Sequence, residues 1–267
     1  MSRFRGLVFS ACALAAAAVC GPAVAQTFTA NEGTVPGALP NLVTADRISF
    51  NYEARIVQTN VGGVLDGNDP FTESGYLTKA SFATLGAAVP SQLNGLGPTG
   101  YGIYGIFNIT GTAAQEGTGI RATFQTATLT LYLDPGQNTT FGFTSNTANA
   151  TGVTADDIAL ATYTLAAGEA HVFGGLANGD FDTLLNMALT PAGQAYFSSP
   201  TPFYALENFG GNTQTITGAS LTSSFTASAT GAGTELFIRP VPEPETYALM
   251  MAGLGALGFM ARRRKQS

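Results

Sequence analysis

The 267-residue chain carries 11 Lys and Arg against 17 Asp and Glu, a formal net charge of -6 at pH 7, with one histidine and no tryptophan. Such an acidic chain is a poor nucleic-acid partner, because nucleic acids are bound largely through Lys and Arg contacts to phosphate. Its two cysteines, Cys12 and Cys20, both lie within the first 25 residues. A chain trimmed there has no thiol for a disulfide, a metal site or nucleophilic catalysis.

The N-terminal segment has the pattern of an export signal. Arg3 and Arg5 precede an apolar, alanine-rich run over residues 7–19. Ala23 and Ala25 then supply the small residues that a signal peptidase accepts. We therefore predict a signal peptide over residues 1–25, cleaved after Ala25, with signal peptidase and the secretion machinery as partners.

Residues 26–240 form the predicted exported domain. They contain five Arg and Lys against 15 Asp and Glu, so this part carries about -10. Its 215 residues include 34 Thr and 11 Ser and are rich in glycine. The length is sufficient for a sizeable core, and the composition favours short extended segments joined by tight turns.

Alternating apolar residues identify the firmest strands. Ile48, Phe50 and Tyr52 alternate with polar residues in one run, and Leu129 and Leu131 alternate with threonine in another. This period of two is typical of half-buried strands. Further strands are predicted at 76–84, 101–112, 139–144, 158–165, 169–173, 213–229 and 234–238. The fold class that follows is a mainly β, antiparallel, β-sandwich-like domain with one or two short helices.

A different pattern occurs at residues 181–189. Phe181, Leu184, Leu185 and Leu189 recur at helical spacing, and Asp180 stands where a helix N-cap belongs. We predict a short helix there and a second one after Pro191.

No group of residues in the domain has the sequence pattern of a catalytic or metal-binding site. His171 has no serine or metal-ligand motif around it, and a packed or surface position on a strand is expected. Asn178, Asp180 and Asp182 have the alternating spacing of a calcium loop but lack its final glutamate, so helix capping explains them better. We predict no catalytic residue, no metal ligand and no cofactor, with calcium left as an alternative.

The C-terminal residues 241–267 form a second signal in three parts. Pro242, Glu243 and Pro244 bias the chain towards an extended, accessible conformation. Residues 246–261 are uncharged, and as a helix they would reach about 24 Å, less than the hydrocarbon core of about 30 Å. The basic cluster follows as Arg262, Arg263, Arg264 and Lys265. By the positive-inside rule this cluster stays cytoplasmic while the preceding domain is exported. An ordinary membrane anchor is the alternative.

This ending resembles the PEP-CTERM sorting signal of Gram-negative bacteria. The resemblance implies recognition by exosortase, a membrane-embedded enzyme that removes the tail. The inner membrane would then hold only the precursor, and the processed protein would reach the cell surface or extracellular matrix.

Three stretches of the domain are similar to flocculation-associated PEP-CTERM proteins. They are LTLYLDP (129–135), HVFGGLANGDFDTLLN (171–186) and SPTPFY (199–204). This resemblance implies a non-enzymatic protein that acts with exopolysaccharide in floc or biofilm formation, and it supplies no site residues. A secreted carbohydrate-active enzyme and a passive structural protein without a ligand remain as alternatives.

Overall fold

A computed structural model describes residues 26–238 of the chain. The predicted signal peptide (1–25) and sorting signal (241–267) lie outside the described residues. Among the residues that are described, no helix is both long and apolar enough to pass through a membrane.

Fourteen strands and one α-helix account for most of the described residues. In chain order they are β1 (Phe28–Asn31), β2 (Leu42–Ala45), β3 (Arg47–Gln58), β4 (Asp66–Thr84), β5 (Ala87–Ala88), β6 (Gly102–Glu116), β7 (Gly119–Asp134), β8 (Thr139–Thr144), β9 (Thr147–Gly152), β10 (Ile158–Val172), β11 (Gly179–Leu189), α1 (Pro191–Tyr196), β12 (Phe197–Ser199), β13 (Leu206–Thr217) and β14 (Phe225–Ile238). A single 3-10 turn spans Glu32–Thr34.

Eight long antiparallel strands close on themselves. Their order is β3-β14-β13-β11-β10-β7-β6-β4, and β4 pairs back to β3. The prediction of a mainly β, antiparallel fold is confirmed, but the sandwich of two sheets is wrong, because one barrel-like sheet surrounds a single interior. Both architectures require apolar residues on one face of each strand, so alternation cannot distinguish them.

The alternation itself is confirmed in both firm strands. Along β3, Ile48, Phe50 and Tyr52 point inward and are buried. Leu129 and Leu131 do the same along β7. The structure corrects the bounds of two other predicted groups of strands. The segments 158–165 and 169–173 belong to one strand, β10, with a bulge between them, and 213–229 spans the end of β13, a loop and the start of β14.

The helix predicted at 181–189 is wrong, because these residues form β11 between β10 and β13. Phe181, Thr183 and Leu185 face inward, and Leu184 is only partly buried. Asp180 therefore caps no helix. Pairing on both sides outweighs the helical spacing of three leucines. The second predicted helix is confirmed as α1, where Pro191 follows the N-cap Thr190.

One end of the closed sheet, which we call the capped end, is covered by β1, β2, β12 and α1. Phe28 from β1 packs there edge-to-face against Phe237, with ring centroids 5.0 Å apart. The buried Glu32 accepts hydrogen bonds from the Gln92 N–H at 2.7 Å and the Tyr101 hydroxyl at 3.0 Å. The first strand, β1, lies at this end, and the last strand, β14, ends here at Ile238.

The opposite end, which we call the open end, is formed by four connections between strands. They are residues 59–65, 117–118, 173–178 and 218–224. The first and last described residues, Gln26 and Ile238, therefore lie towards the capped end, away from these loops.

Glycines on the inward faces of the strands leave room for large aromatic rings. Gly75 on β4 provides a test of this packing. A Cβ there would overlap the Phe107 ring and lie 2.6 Å from the Glu53 carbonyl oxygen. Gly75→Ala is expected to lower the free energy of unfolding by about 1–3 kcal/mol, because ring and backbone must both move. Gly142→Ala in β8, whose Cβ would meet nothing closer than 4.0 Å, is the matched control. Equal urea midpoints for the two variants would contradict this packing.

Candidate functional site

The half of the interior next to the open end contains a cavity of about 110 Å³. Its walls come from all eight strands of the closed sheet and are mostly apolar. The phenylalanines of the lining are Phe71, Phe107, Phe124, Phe181, Phe209 and Phe225. Eight strands commonly enclose just enough space for side chains or for one small ligand.

Glu73 brings a carboxyl group into this apolar cavity. It lies on β4 between Ile56 of β3 and Ile109 of β6, on the inward face that also carries Phe71 and Leu77. Within residues 26–238 its carboxyl has no hydrogen-bond or ion-pair partner. Burial raises the pKa of Glu73 to about 7, because desolvation disfavours the charged form. The group is thus close to half-ionised at neutral pH.

Gln58 and Tyr52 are among the other polar residues that line the cavity. Gln58 is 1 % exposed, and neither its amide nitrogen nor its amide oxygen has a hydrogen-bond partner in the described part of the chain. An unmatched buried amide is costly and is rare in folded proteins. Tyr52 is satisfied, because its hydroxyl is hydrogen-bonded to the Thr213 hydroxyl. Burial, and to a lesser degree the nearby Glu73, raise the pKa of Tyr52.

An apolar enclosure with a few convergent polar groups is the usual form of a small-molecule site. No sequence motif predicts this site. Phe71, Glu73, Gly75 and Leu77 alternate with other residues, a pattern that places an acid on an inward face. The strand predicted from the sequence starts at Tyr76 and so does not include Glu73.

A carboxyl pair lies in the capped half of the interior. Glu207 and Glu235 are 0 % and 1 % exposed, and Glu235 accepts a hydrogen bond of 2.7 Å from the Tyr163 hydroxyl. Glu207 is a diagonal neighbour of Glu235, because it pairs with Phe237, and neither of its carboxylate oxygens has a hydrogen-bond partner in the described part of the chain. Burial, followed by the charge of Glu235, raises the pKa of Glu207 well above the ordinary range, and burial also raises the pKa of Glu235. Each of the two carboxyls therefore holds its proton more tightly in the folded domain than in the unfolded chain.

On the outer surface, four polar side chains form a line across neighbouring strands. Asn108 of β6 pairs with Thr128 of β7, which pairs with Thr164 of β10, and this residue pairs with Asn186 of β11. All four are exposed. We call this line the outer polar row. At about 4.8 Å per strand it extends for roughly 14 Å and presents both donors and acceptors.

A hairpin of β8 and β9 covers an aromatic group elsewhere on the outer surface. Tyr76 stacks on Phe141 with ring centroids 5.3 Å apart, and Arg55 lies 4.6 Å over the Phe143 ring. The Tyr104 hydroxyl donates to Asp157 at 2.6 Å. These rings pack mainly against each other. They form a packed cluster on the outer surface and not an open surface on which a ligand could stack.

The predicted calcium residues do not form a loop. Asp180 and Asp182 share the outer face of β11, where Asp182 accepts a hydrogen bond from the side-chain amide of Asn208. His171 lies beside them on β10, partly exposed, with its Nδ1 3.1 Å from Asp180 Oδ1. Within residues 26–238, no group of three or more His, Cys, Asp or Glu side chains is arranged to hold a metal ion.

The predicted sorting residues fall beyond the described chain. They are Ala23 and Ala25 before it, and Pro242, Glu243, Pro244, Arg262, Arg263, Arg264 and Lys265 after it. A family model described as the PEP-CTERM protein-sorting motif matches residues 240–265. The match includes the Pro-Glu-Pro sequence, the uncharged run and the basic cluster. Neither a search of the curated proteins nor a search of the solved structures found a match to the chain.

Proposed function

Since the chain is a PEP-CTERM protein and thus an exosortase substrate that is exported towards the cell surface, we propose that it acts there without catalysis, binding exopolysaccharide and holding cells together in flocs or biofilm. The observation that carries this proposal is the sorting motif at residues 240–265. A domain delivered to the outside by this route meets the extracellular polysaccharide first.

The route to the surface is part of the proposal. The signal peptide directs export and is removed after Ala25. Residues 246–261 then hold the precursor in the inner membrane, with the basic cluster on the cytoplasmic side. Cleavage near Pro242 and Pro244 releases the domain. Because the sorting signal follows β14, which ends at the capped end, the open end is the end of the closed sheet farther from the point of attachment.

The outer polar row supports contact with polysaccharide. Its two amides and two hydroxyls lie on four adjacent strands and are all exposed. Sugar hydroxyls are donors and acceptors, so a line of Asn and Thr side chains can exchange hydrogen bonds with a glycan without any reaction. Rigid neighbouring strands keep the spacing of these groups constant.

Replacing the four residues of the outer polar row with alanine is expected to reduce binding to the producer's own exopolysaccharide by about tenfold or more, since each lost hydrogen bond contributes about 0.5–1.5 kcal/mol. Binding is measured by co-sedimentation of the exported protein with purified exopolysaccharide. Settling of cells that express the variant is expected to slow in parallel.

The matched control replaces two Asn and two Thr on the other side of the closed sheet. Asn51, Asn212, Thr215 and Thr230 are exposed there on β3, β13 and β14. This control is expected to bind and aggregate as the unaltered protein does. Equal loss in both variants would assign the effect to stability, and no loss in either would reject the outer polar row as the contact.

The alternative of a secreted glycoside hydrolase requires two carboxyls that flank a bond in an accessible cleft. Glu207 and Glu235 form a carboxyl pair but are closed off from solvent inside the sheet. Release of reducing sugar from the producer's exopolysaccharide, lost on Glu207→Gln, would favour the hydrolase. A domain that neither binds nor cleaves this polysaccharide would instead be a passive structural protein.

A further inference from the structure

We propose that the cavity at the open end is a binding site for a small monoamine, in which the ammonium group meets Glu73 and a compact apolar body fills the aromatic enclosure. This site lies inside the closed sheet and is separate from the outer polar row, so it can exist whether or not the domain binds polysaccharide.

The size and walls of the cavity define the apolar part of the ligand. An apolar cavity of about 150 Å³ in another protein holds benzene, so the 110 Å³ found here accommodates a body of similar or slightly smaller dimensions. Phe71, Phe107 and Phe124 are among the residues that line this space. Ring faces attract cations as well as apolar groups, which suits an organic ammonium better than a neutral hydrocarbon.

The polar groups of the cavity define the charged part of the ligand. Glu73 has no partner within residues 26–238, and Gln58 has an unmatched amide oxygen. The two residues are diagonal neighbours on the inward faces of β3 and β4, because Gln58 pairs with Phe71 and Glu73 follows two residues later. One ammonium group has three N–H donors and can reach both acceptors. Binding therefore supplies a donor to the unmatched amide oxygen of the buried Gln58 and to the carboxyl of the half-buried Glu73 at once.

Within residues 26–238, no Lys or Arg side chain lines the cavity beside Glu73. The ionisable residues that line the cavity are Tyr52, Glu73, His171 and Asp180. His171 and Asp180 stand at outward positions and are hydrogen-bonded to each other. The strands beside Glu73, which are β3 and β6, contribute only Tyr52 as a titratable group to the cavity. A bound ammonium would thus be the first positive charge to reach this carboxyl.

The charge of the ligand predicts a pH dependence. The ionised form of Glu73 is the one that binds an ammonium, and its fraction rises as pH increases through its pKa of about 7. Affinity for an amine is expected to rise about tenfold between pH 6 and pH 8, because apparent affinity scales with the competent fraction. A neutral alcohol would show no such rise.

The test uses the protein as its producer exports it, titrated with benzylamine, benzyl alcohol and toluene by calorimetry and ligand-observed NMR. Benzylamine is expected to bind most tightly and to show the rise in affinity with pH. Glu73→Gln is expected to weaken benzylamine binding by about tenfold or more and to abolish its pH dependence. The same variant is expected to bind toluene as the unaltered protein does, which shows that the cavity is intact.

Several results would overturn the proposal. The first is absence of benzylamine binding to the unaltered protein, and the second is equal benzylamine affinity in Glu73→Gln. A preference for benzyl alcohol or toluene would mean that the cavity takes neutral ligands. The pH series on the unaltered protein decides the matter even if the variant does not fold.

Discussion

Replacing Pro242 and Pro244 with alanine is expected to leave nearly all of the chain uncleaved in the inner membrane. Proline removes backbone donors and disfavours helix at the residue before it, so these two residues are predicted to keep the strip before residue 246 extended and unpaired. Alanine would allow the helix predicted at residues 246–261 to continue into this strip. A processing enzyme would then meet a helix in place of an accessible chain.

The measurement is fractionation of cells followed by immunoblotting, with mass spectrometry of the protein recovered outside. The unaltered chain is expected to be released without Ser267. Pro98→Ala, which changes an exposed proline in a loop of the domain, is the matched control and should be processed normally. Release of the double variant at the normal rate would contradict the role given to the prolines, and released protein that still ends at Ser267 would contradict cleavage itself.

Glu207→Gln is expected to stabilise the domain above neutral pH and to flatten the dependence of its stability on pH. Burial and the charge of Glu235 raise the pKa of Glu207 well above its ordinary value of 4.5. A group that holds its proton more tightly when folded contributes stability below its unfolded pKa, and this contribution is lost as pH rises through the folded value. The domain should therefore become less stable from about pH 4.5 upwards, with Glu73 adding to the loss as pH approaches 7.

The glutamine has nearly the same shape, cannot ionise, and can donate its amide N–H to Glu235, which already accepts from Tyr163. The gain in free energy of unfolding at pH 8 is expected to be about 1–3 kcal/mol, because an uncompensated buried carboxylate is avoided. Thermal unfolding at pH 5 and pH 8 measures it, and the gain should be smaller at pH 5.

Glu32→Gln supplies the contrast for this experiment. The Glu32 carboxylate is also fully buried, but it accepts hydrogen bonds from Asn41, Gln92 and Tyr101. An amide there would turn an N–H towards these donors, so the variant is expected to be less stable at both pH values. If Glu207→Gln also loses stability at pH 8, the carboxyl pair is not the source of the pH dependence.

The sorting signals and the strands show how far the sequence alone could lead. The sorting motif is defined by the order of the Pro-Glu-Pro sequence, the uncharged run and the basic cluster along the chain. The family match at residues 240–265 therefore confirms it without any knowledge of the fold. The strands β3 and β7 could also be predicted from the sequence, because a strand with one buried face has apolar residues at every second position.

Residues 181–189 show where local patterns mislead. Three leucines at helical spacing favoured a helix, yet these residues pair with β10 on one side and β13 on the other. Both neighbours satisfy the backbone of β11 and bury Leu185 between them. Such pairing depends on segments elsewhere in the chain, so a window of ten residues does not contain the information that decides it.

By itself, then, the sequence determined the sorting motif, the β class and the inward face of the most regular strands, because each of these is encoded within a short stretch of chain. Only the tertiary structure decided that the sheet closes, which rests on pairings as distant as Ile56 with Ala227. Closure in turn enclosed Glu73, Gln58 and the Glu207–Glu235 pair. Burial of these polar groups is a property of what surrounds them, and their surroundings come from all eight strands at once.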